Sequence, residues 1–296
     1  MGPTHVIEIA RGRLRAGVAP ALGGALAFFR TLRADGAATE WLRPMPADAQ
    51  SPLAAASFPM VPFFSWMEGD TLTADGLSLP LPASGFGFAH ALHGFGWTSA
   101  WEVEARAPGA VGLVHRHPGG AWPWPYTARQ RIVLDGEGLE IALALTNDAD
   151  TPMPAGLGLH PFFERGDGLR VTAATGAMHL MSEAVLPYAA DPRHEAVAAL
   201  ASGDELPRGL DNIFEGWDGR ALLRWPDRAL RLTAGPPFEF LCIYAPIDGD
   251  IACIEPVTHT TNAFNLGRAA WGATGDRRLA PGETMTATAR FHPEEF

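Results

Sequence analysis

The strongest constraint on the fold is a recurring alternation of apolar and polar residues, broken every few residues by turn-forming Gly, Pro and Asp. In RIVLDGEGLEIALALTN (131–147), Leu139, Ile141, Leu143 and Leu145 share one face if the segment is a strand. TLTADGLSLPL (71–81) shows two such segments around Asp75-Gly76, the residue pair that tight hairpin turns favour. WDGRALLRW and RALRLTAG repeat the device between 217 and 235, and LAPGETMTATARFHP reads as a turn and a final strand. FEFLCIYAP (238–246) is apolar almost throughout, as expected of a strand covered on both faces. Only DPRHEAVAALASG (191–203) has a helical pattern, stopped at Gly203. The 33 Gly and 26 Pro are scattered along the chain, which suits many short strands better than long helices. Residues 1–296 are expected to form one large antiparallel β-sandwich domain with few short helices.

Charge and composition exclude several classes. A net charge of −11 opposes nucleic-acid binding, which needs a basic face. All 22 positive residues are arginine, so no lysine can form a Schiff base or serve a phosphate loop. The opening MGPTHVIEIARGRLRAG is charged throughout, so no secretory signal is expected, and no apolar run approaches the ~20 residues of a membrane span. Cys242 and Cys253 are too few for a disulfide framework and read as small buried hydrophobes in strands. A cytoplasmic protein, monomeric or homodimeric, without membrane or nucleic-acid partners, is the expectation.

Candidate chemistry lies in a few polar residues set among rigid neighbours. His115 and His117 would face one side of a strand, a chelating geometry, but no third ligand travels with them, and no metal or cofactor is expected. His90 and His93 lie in GFGFAHALHGFGW, which reads equally as an aromatic-packed turn or a ligand site. Asp211, after Gly209-Leu210, reads as a cap or as a site residue. Glu255 interrupts the apolar run IACIEP, and a carboxylate so placed needs a partner or a task. His160 stands between a Gly-rich bend and Pro161-Phe162-Phe163 in TPMPAGLGLHPFF.

These segments together resemble the aldose 1-epimerase (galactose mutarotase) family. NDADTPMPAGLGLHPFF is similar to its Asn-x-x-x-x-Pro-Met-Pro…Gly-x-His-Pro-Tyr/Phe-Phe segment, and HGFGW (93–97) to its His-Gly-x-Gly-Trp. LDNIF, CIEPVTHTTNAFN and LAPGET resemble its Leu-Asp-x-x-Phe, Ile-Glu-Pro-x-Thr…Asn-Ala-Phe-Asn and closing Leu-x-Pro-Gly-Glu, all in the family's order. The resemblance implies a β-sandwich of the galactose mutarotase type with a sugar cleft on one sheet. It implies cofactor-free exchange of α and β anomers of a monosaccharide, with Glu255 as general base and His160 as general acid on opposite sides of the sugar. His93 would bond the sugar near its ring oxygen and Asp211 its hydroxyls.

One segment departs. Where the family has Asn-Arg, FPMVPFFSWMEGD offers Ser65 and Trp66. Trp66 can stack on a sugar but lacks the forked donors of a guanidinium. The departure leaves open a carbohydrate-binding or sugar-sensing protein that kept the cleft without turnover. The absence of a replacement arginine cluster disfavours a phosphorylated sugar.

Overall fold

Period-two alternation becomes strands as expected, and the computed structural model describes residues 4–73, 76–166, 168–267 and 271–295. Leu139, Ile141, Leu143 and Leu145 are all buried on one face of the strand Leu139–Asn147. Each such side chain contributes about 1.5–3 kcal/mol by leaving water. The strand pairs antiparallel with Tyr126–Leu134, in register from Tyr126↔Asn147 to Leu134↔Leu139. The connection is therefore the loop 135–138 and not a two-residue turn. The Asp135 carboxylate explains it by accepting from the backbone N–H groups of Glu137 at 3.0 Å and Gly138 at 3.1 Å. In the 71–81 hairpin, Thr71–Leu72 pairs with Leu79–Pro80, while Asp75 of the expected turn lies outside the described residues.

Two eight-stranded sheets and a four-stranded sheet carry most of the fold. One large sheet runs, edge to edge, Arg170–Ala173, Arg220–Arg224, Arg228–Ala234, Thr284–Glu295, Leu139–Asn147, Tyr126–Leu134, Ala110–His117 and Glu102–Ala107. The other runs Pro187–Asp191, Ala177–Met181, Leu210–Glu215, Phe240–Ala245, Ile251–Val257, Gly158–Leu159 and Pro59–Met60, with Phe162–Glu164 also pairing to Ile251–Val257. Ile7–Arg11, Leu14–Ala19, Ala25–Leu32 and Ala38–Glu40 form the smaller sheet. The expected all-β architecture is what the chain adopts. Phe240–Ala245 sits in the interior of its sheet with five of its six residues buried, which accounts for its unbroken apolar run.

The expected helix forms over Glu195–Ser202 and stops at Gly203, whose φ of 71° is left-handed. It starts later than residue 191 because Pro187–Asp191 is an edge strand paired with Ala177–Met181. A four-residue helix, Ala263–Leu266, carries no signal in the apolar pattern. Cys242 and Cys253 are free and buried in adjacent strands. His115 and His117 do share a face, but their Nε2 atoms turn to the Tyr126 hydroxyl at 3.5 Å and the Trp122 carbonyl at 2.9 Å.

Candidate active site

Pairing register decides which side chains meet. Antiparallel partners project to the same face, and so do residues two apart along a strand. Asp211↔Tyr244, Ile213↔Cys242, Cys242↔Glu255 and Phe162↔Cys253 are cross-strand partners, so one sheet face gathers Asp211, Ile213, Cys242, Tyr244, Glu255 and Phe162. On the other flank of Ile251–Val257 the register runs from Gly158↔Val257 to Phe162↔Cys253. His160, midway between, therefore falls opposite Glu255. Its backbone N–H donates to Phe58 O at 3.0 Å, which fixes the chain there.

A cavity of about 430 Å³ opens over this face. The five residues that the family resemblance and its one departure put at the site, Glu255, His160, His93, Asp211 and Trp66, line it, while His90, His115 and His117 do not. One expectation needs correction: the acid and base do not oppose each other across a sugar. His160 Nε2 is 3.6 Å from Glu255 Oε1, too close for a ring to lie between them. Neighbouring positions on paired strands put their Cβ atoms about 4.5–5.5 Å apart, so a side-by-side arrangement is what the register allows. Asp211 lies within the strand Leu210–Glu215 and is not a cap.

Electrostatics at the floor are set by burial. Glu255 is 2% exposed, and desolvation, reinforced by the Asp211 charge, pushes its carboxyl well above the usual range. His160 packs against Phe58 and Phe162, with ring centroids 4.6 and 4.5 Å away. Burial, with the nearby Arg43 charge adding to it, lowers its pKa to about 3. Among the described residues, Glu255 Oε2 and His160 Nδ1 have no hydrogen-bond partner. Buried polar atoms left this way cost stability, and in active sites they await a ligand. Asp211 reaches solvent through the cleft, while the surrounding walls raise its carboxyl pKa by desolvation.

His93 is held by a reciprocal clamp with Ser65. The Ser65 N–H donates to His93 Nδ1 at 3.0 Å, and the His93 N–H donates to Ser65 O at 2.8 Å. Both residues have φ of 57°, a left-handed backbone that non-glycine residues adopt at a cost of about 1–3 kcal/mol. With Nδ1 accepting and burial driving the ring's pKa well down, His93 is neutral and carries its proton on Nε2. Gly94 makes the turn possible, because a Cβ there would lie 2.2 Å from Val61 O.

Sequence reasoning missed the residues that brace this wall. His259 Nε2 accepts from the Phe64 N–H at 3.0 Å, and its Nδ1 donates to Thr260 O at 2.8 Å. Thr261 donates to the Ser65 hydroxyl at 2.8 Å; the Asn262 N–H donates to Trp66 O at 2.9 Å, and Asn262 Oδ1 accepts from the Glu68 N–H at 3.0 Å. The stretch 259–262 thus straps 64–68 in place. Thr260 is itself tied to the buried His179, whose other nitrogen meets Glu215 at 3.1 Å. The polar run THTTN was visible in sequence; its partner segment, almost two hundred residues away, was not. Arg43 also lines the cavity, from a segment with no recognisable motif.

Ligand atoms of His160, Cys253 and Glu255 lie within 4.8 Å of one another, a set that could in principle hold a cation. The donor chemistry fits one poorly. The Arg43 guanidinium, whose charge acts on both His160 and Cys253, opposes a further cation there.

The chain has relatives of known sequence and structure. It is 27% identical over 251 residues to YphB of Escherichia coli K12, a protein described as uncharacterized, covering 81% of this chain and 84% of that one. A solved Escherichia coli K12 structure assigned provisionally to the aldose 1-epimerases superposes with a TM-score of 0.86 at 26% identity, covering 99% of each chain. A galactose mutarotase-like protein from Clostridium acetobutylicum shares the fold, with a TM-score of 0.84 at 17% identity over 98% of this chain and 95% of that one. No helix among the described residues is long and apolar enough to cross a membrane. The aldose 1-epimerase family model matches residues 5–292, and the chain belongs to that family.

Proposed function

We propose that this protein is a mutarotase that interconverts the α and β anomers of a free, unphosphorylated aldose, acting in the cytoplasm as a single domain. The observation that carries the reading is the buried Glu255–His160 pair, 3.6 Å apart on the floor of a cavity of about 430 Å³, a volume that suits a monosaccharide.

The reaction needs one proton to leave the C1 hydroxyl and one to reach the ring oxygen. Both oxygens are bonded to C1, so an acid and a base standing side by side serve them. From the ion pair, with His160 as imidazolium and Glu255 as carboxylate, Glu255 takes the C1 hydroxyl proton as His160 Nε2 protonates the ring oxygen, and the C1–ring oxygen bond breaks, leaving a neutral imidazole. The aldehyde forms and the proton now sits on Glu255, the distribution that burial favours. Rotation about C1–C2 presents the other carbonyl face, and closure runs the transfers backwards. The pair ends as it began, so no cofactor enters the cycle. The neutral His93 offers an Nε2–H donor beside the ring oxygen, where charge develops. Asp211 accepts from ring hydroxyls, and Trp66 supplies an apolar face for the sugar.

Two-dimensional NMR exchange between anomeric protons, with polarimetry on freshly dissolved α-glucose and α-galactose, tests the reading. Acceleration of anomer exchange over buffer is expected. Sugar binding without any acceleration would replace the mutarotase reading with that of a sugar-binding protein.

A further inference from the structure

Segment 57–70 lacks the arginine that the family resemblance leads one to expect, yet the cavity wall contains a guanidinium from another part of the chain. Arg43 follows Trp41 and Leu42, both buried, and its N–H donates to Phe162 O at 2.9 Å. Its guanidinium carbon lies 4.0 Å over the Phe162 ring, the ring against which His160 also packs. Nη2 donates to two backbone carbonyls, Leu53 O at 2.5 Å and Ala55 O at 2.8 Å. Nε and Nη1 have no partner among the described residues, and the side chain borders the cavity.

We propose that Arg43 is a specificity-determining residue that binds a hydroxyl of an uncharged aldose; this rests on the mutarotase reading and extends it to the substrate class. The argument turns on which donors are left. A guanidinium has two forked edges, one formed by Nε with Nη2 and the other by Nη1 with Nη2. Nη2 contributes a hydrogen to each, and here it serves the Leu53 and Ala55 carbonyls. Neither fork is free to close on a carboxylate or phosphate. The remaining donors, one N–H on Nε and two on Nη1, cannot close a fork with Nη2 and suit separate hydroxyl oxygens. Among the described residues no other arginine lines the cavity, whereas Asp211 and Glu255 do, so their wall lacks the cationic cluster on which phosphate recognition rests. The cation–π contact with Phe162 and the two carbonyls hold the guanidinium in place before the sugar arrives, which limits the entropy lost on binding.

Arg43→Gln and Arg43→Lys test this. Affinity for glucose, galactose and their 6-phosphates is read by ligand-observed NMR titration, KM and kcat by anomer exchange, and folding by thermal melts. Lysine can still donate to the Leu53 and Ala55 carbonyls, so its melting temperature should stay within a few degrees of wild type even if glutamine unsettles the loop. Both variants are expected to weaken aldose binding about tenfold or more, with the loss falling mainly on KM. The wild type should favour a free aldose over its 6-phosphate. Unchanged aldose affinity in the folded Lys variant would overturn the proposal, as would a wild-type preference for the phosphate that Arg43→Gln removes. If the wild type binds aldoses without speeding anomer exchange, the mutarotase reading falls, while the affinity comparison still decides the role of Arg43.

Discussion

His160, between the strands Gly158–Leu159 and Phe162–Glu164, stands beside Glu255 of Ile251–Val257, Nε2 to Oε1 at 3.6 Å, with the remaining side-chain atom of each lacking a partner among the described residues. Such a pair is expensive to build. Each group loses its hydration, and neither is repaid by a full set of hydrogen bonds. Stability alone would favour apolar residues at both positions.

Replacing either group should therefore uncouple activity from folding. Glu255→Gln and His160→Ala are each expected to lower the anomer-exchange rate at least about a hundredfold, while melting temperatures remain close to or above wild type for Glu255→Gln. A variant with near-normal turnover would remove its residue from the mechanism.

The buried imidazoles predict a marked acid sensitivity. Burial lowers His160 to about 3, His115 and His259 to about 4, and His93 well below its ordinary value. The unfolded chain takes up these protons near 6.5 and the folded chain does not, so stability is lost as pH falls from 6.5 towards 4. Each histidine contributes a slope of about 1.4 kcal/mol per pH unit. Glu255 acts in the opposite sense: its raised pKa lets the folded state keep a proton that the unfolded state releases above 4.5. Glu255→Gln should thus steepen the dependence above pH 4.5, where the unfolded carboxyl has released a proton that the folded one keeps. Denaturant unfolding at a series of pH values measures this, and an equal or shallower slope would contradict the assignment.

Trp66 occupies the rim where the resemblance leads one to expect arginine, and its ring sits 6.0 Å from that of His90. Trp66→Arg should change the ranking of aldoses by kcat/KM. An identical ranking across glucose, galactose, mannose and xylose would show that Trp66 does not select.

His259 acts at a distance through the wall it braces. His259→Ala leaves the Phe64 N–H without its acceptor, a loss of about 1–3 kcal/mol. It should also raise KM by loosening Ser65 and with it His93. A thermal melt combined with exchange kinetics checks both, and a stable variant with unchanged KM would mean that the strap has no bearing on the site.

Much of this arrangement was legible in the sequence. The strands announced themselves because one face of each is buried and the other is not, so the alternation in 139–145 follows directly from the packing. Glu255 and His160 stood out as polar residues inside apolar runs. What stayed hidden was relational. The side-by-side geometry depends on the register between Gly158–Leu159 and Ile251–Val257, which local pattern cannot specify. Arg43 has no motif because its position is set by a ring and two carbonyls that only the folded chain brings near it. His259 looked like one more polar residue in THTTN because its partner comes from residue 64.

The strap 259–262 continues directly from the strand that bears Glu255, so one short peptide carries the proposed proton acceptor and clasps the rim with Ser65 and Trp66. Chemistry and that part of the mouth are mechanically a single piece. Phe88 also lines the cavity and, like Phe86, stands exposed on a segment to which that strap makes no hydrogen bond among the described residues. Substitutions at Phe88 can reshape the mouth while the floor keeps its alignment.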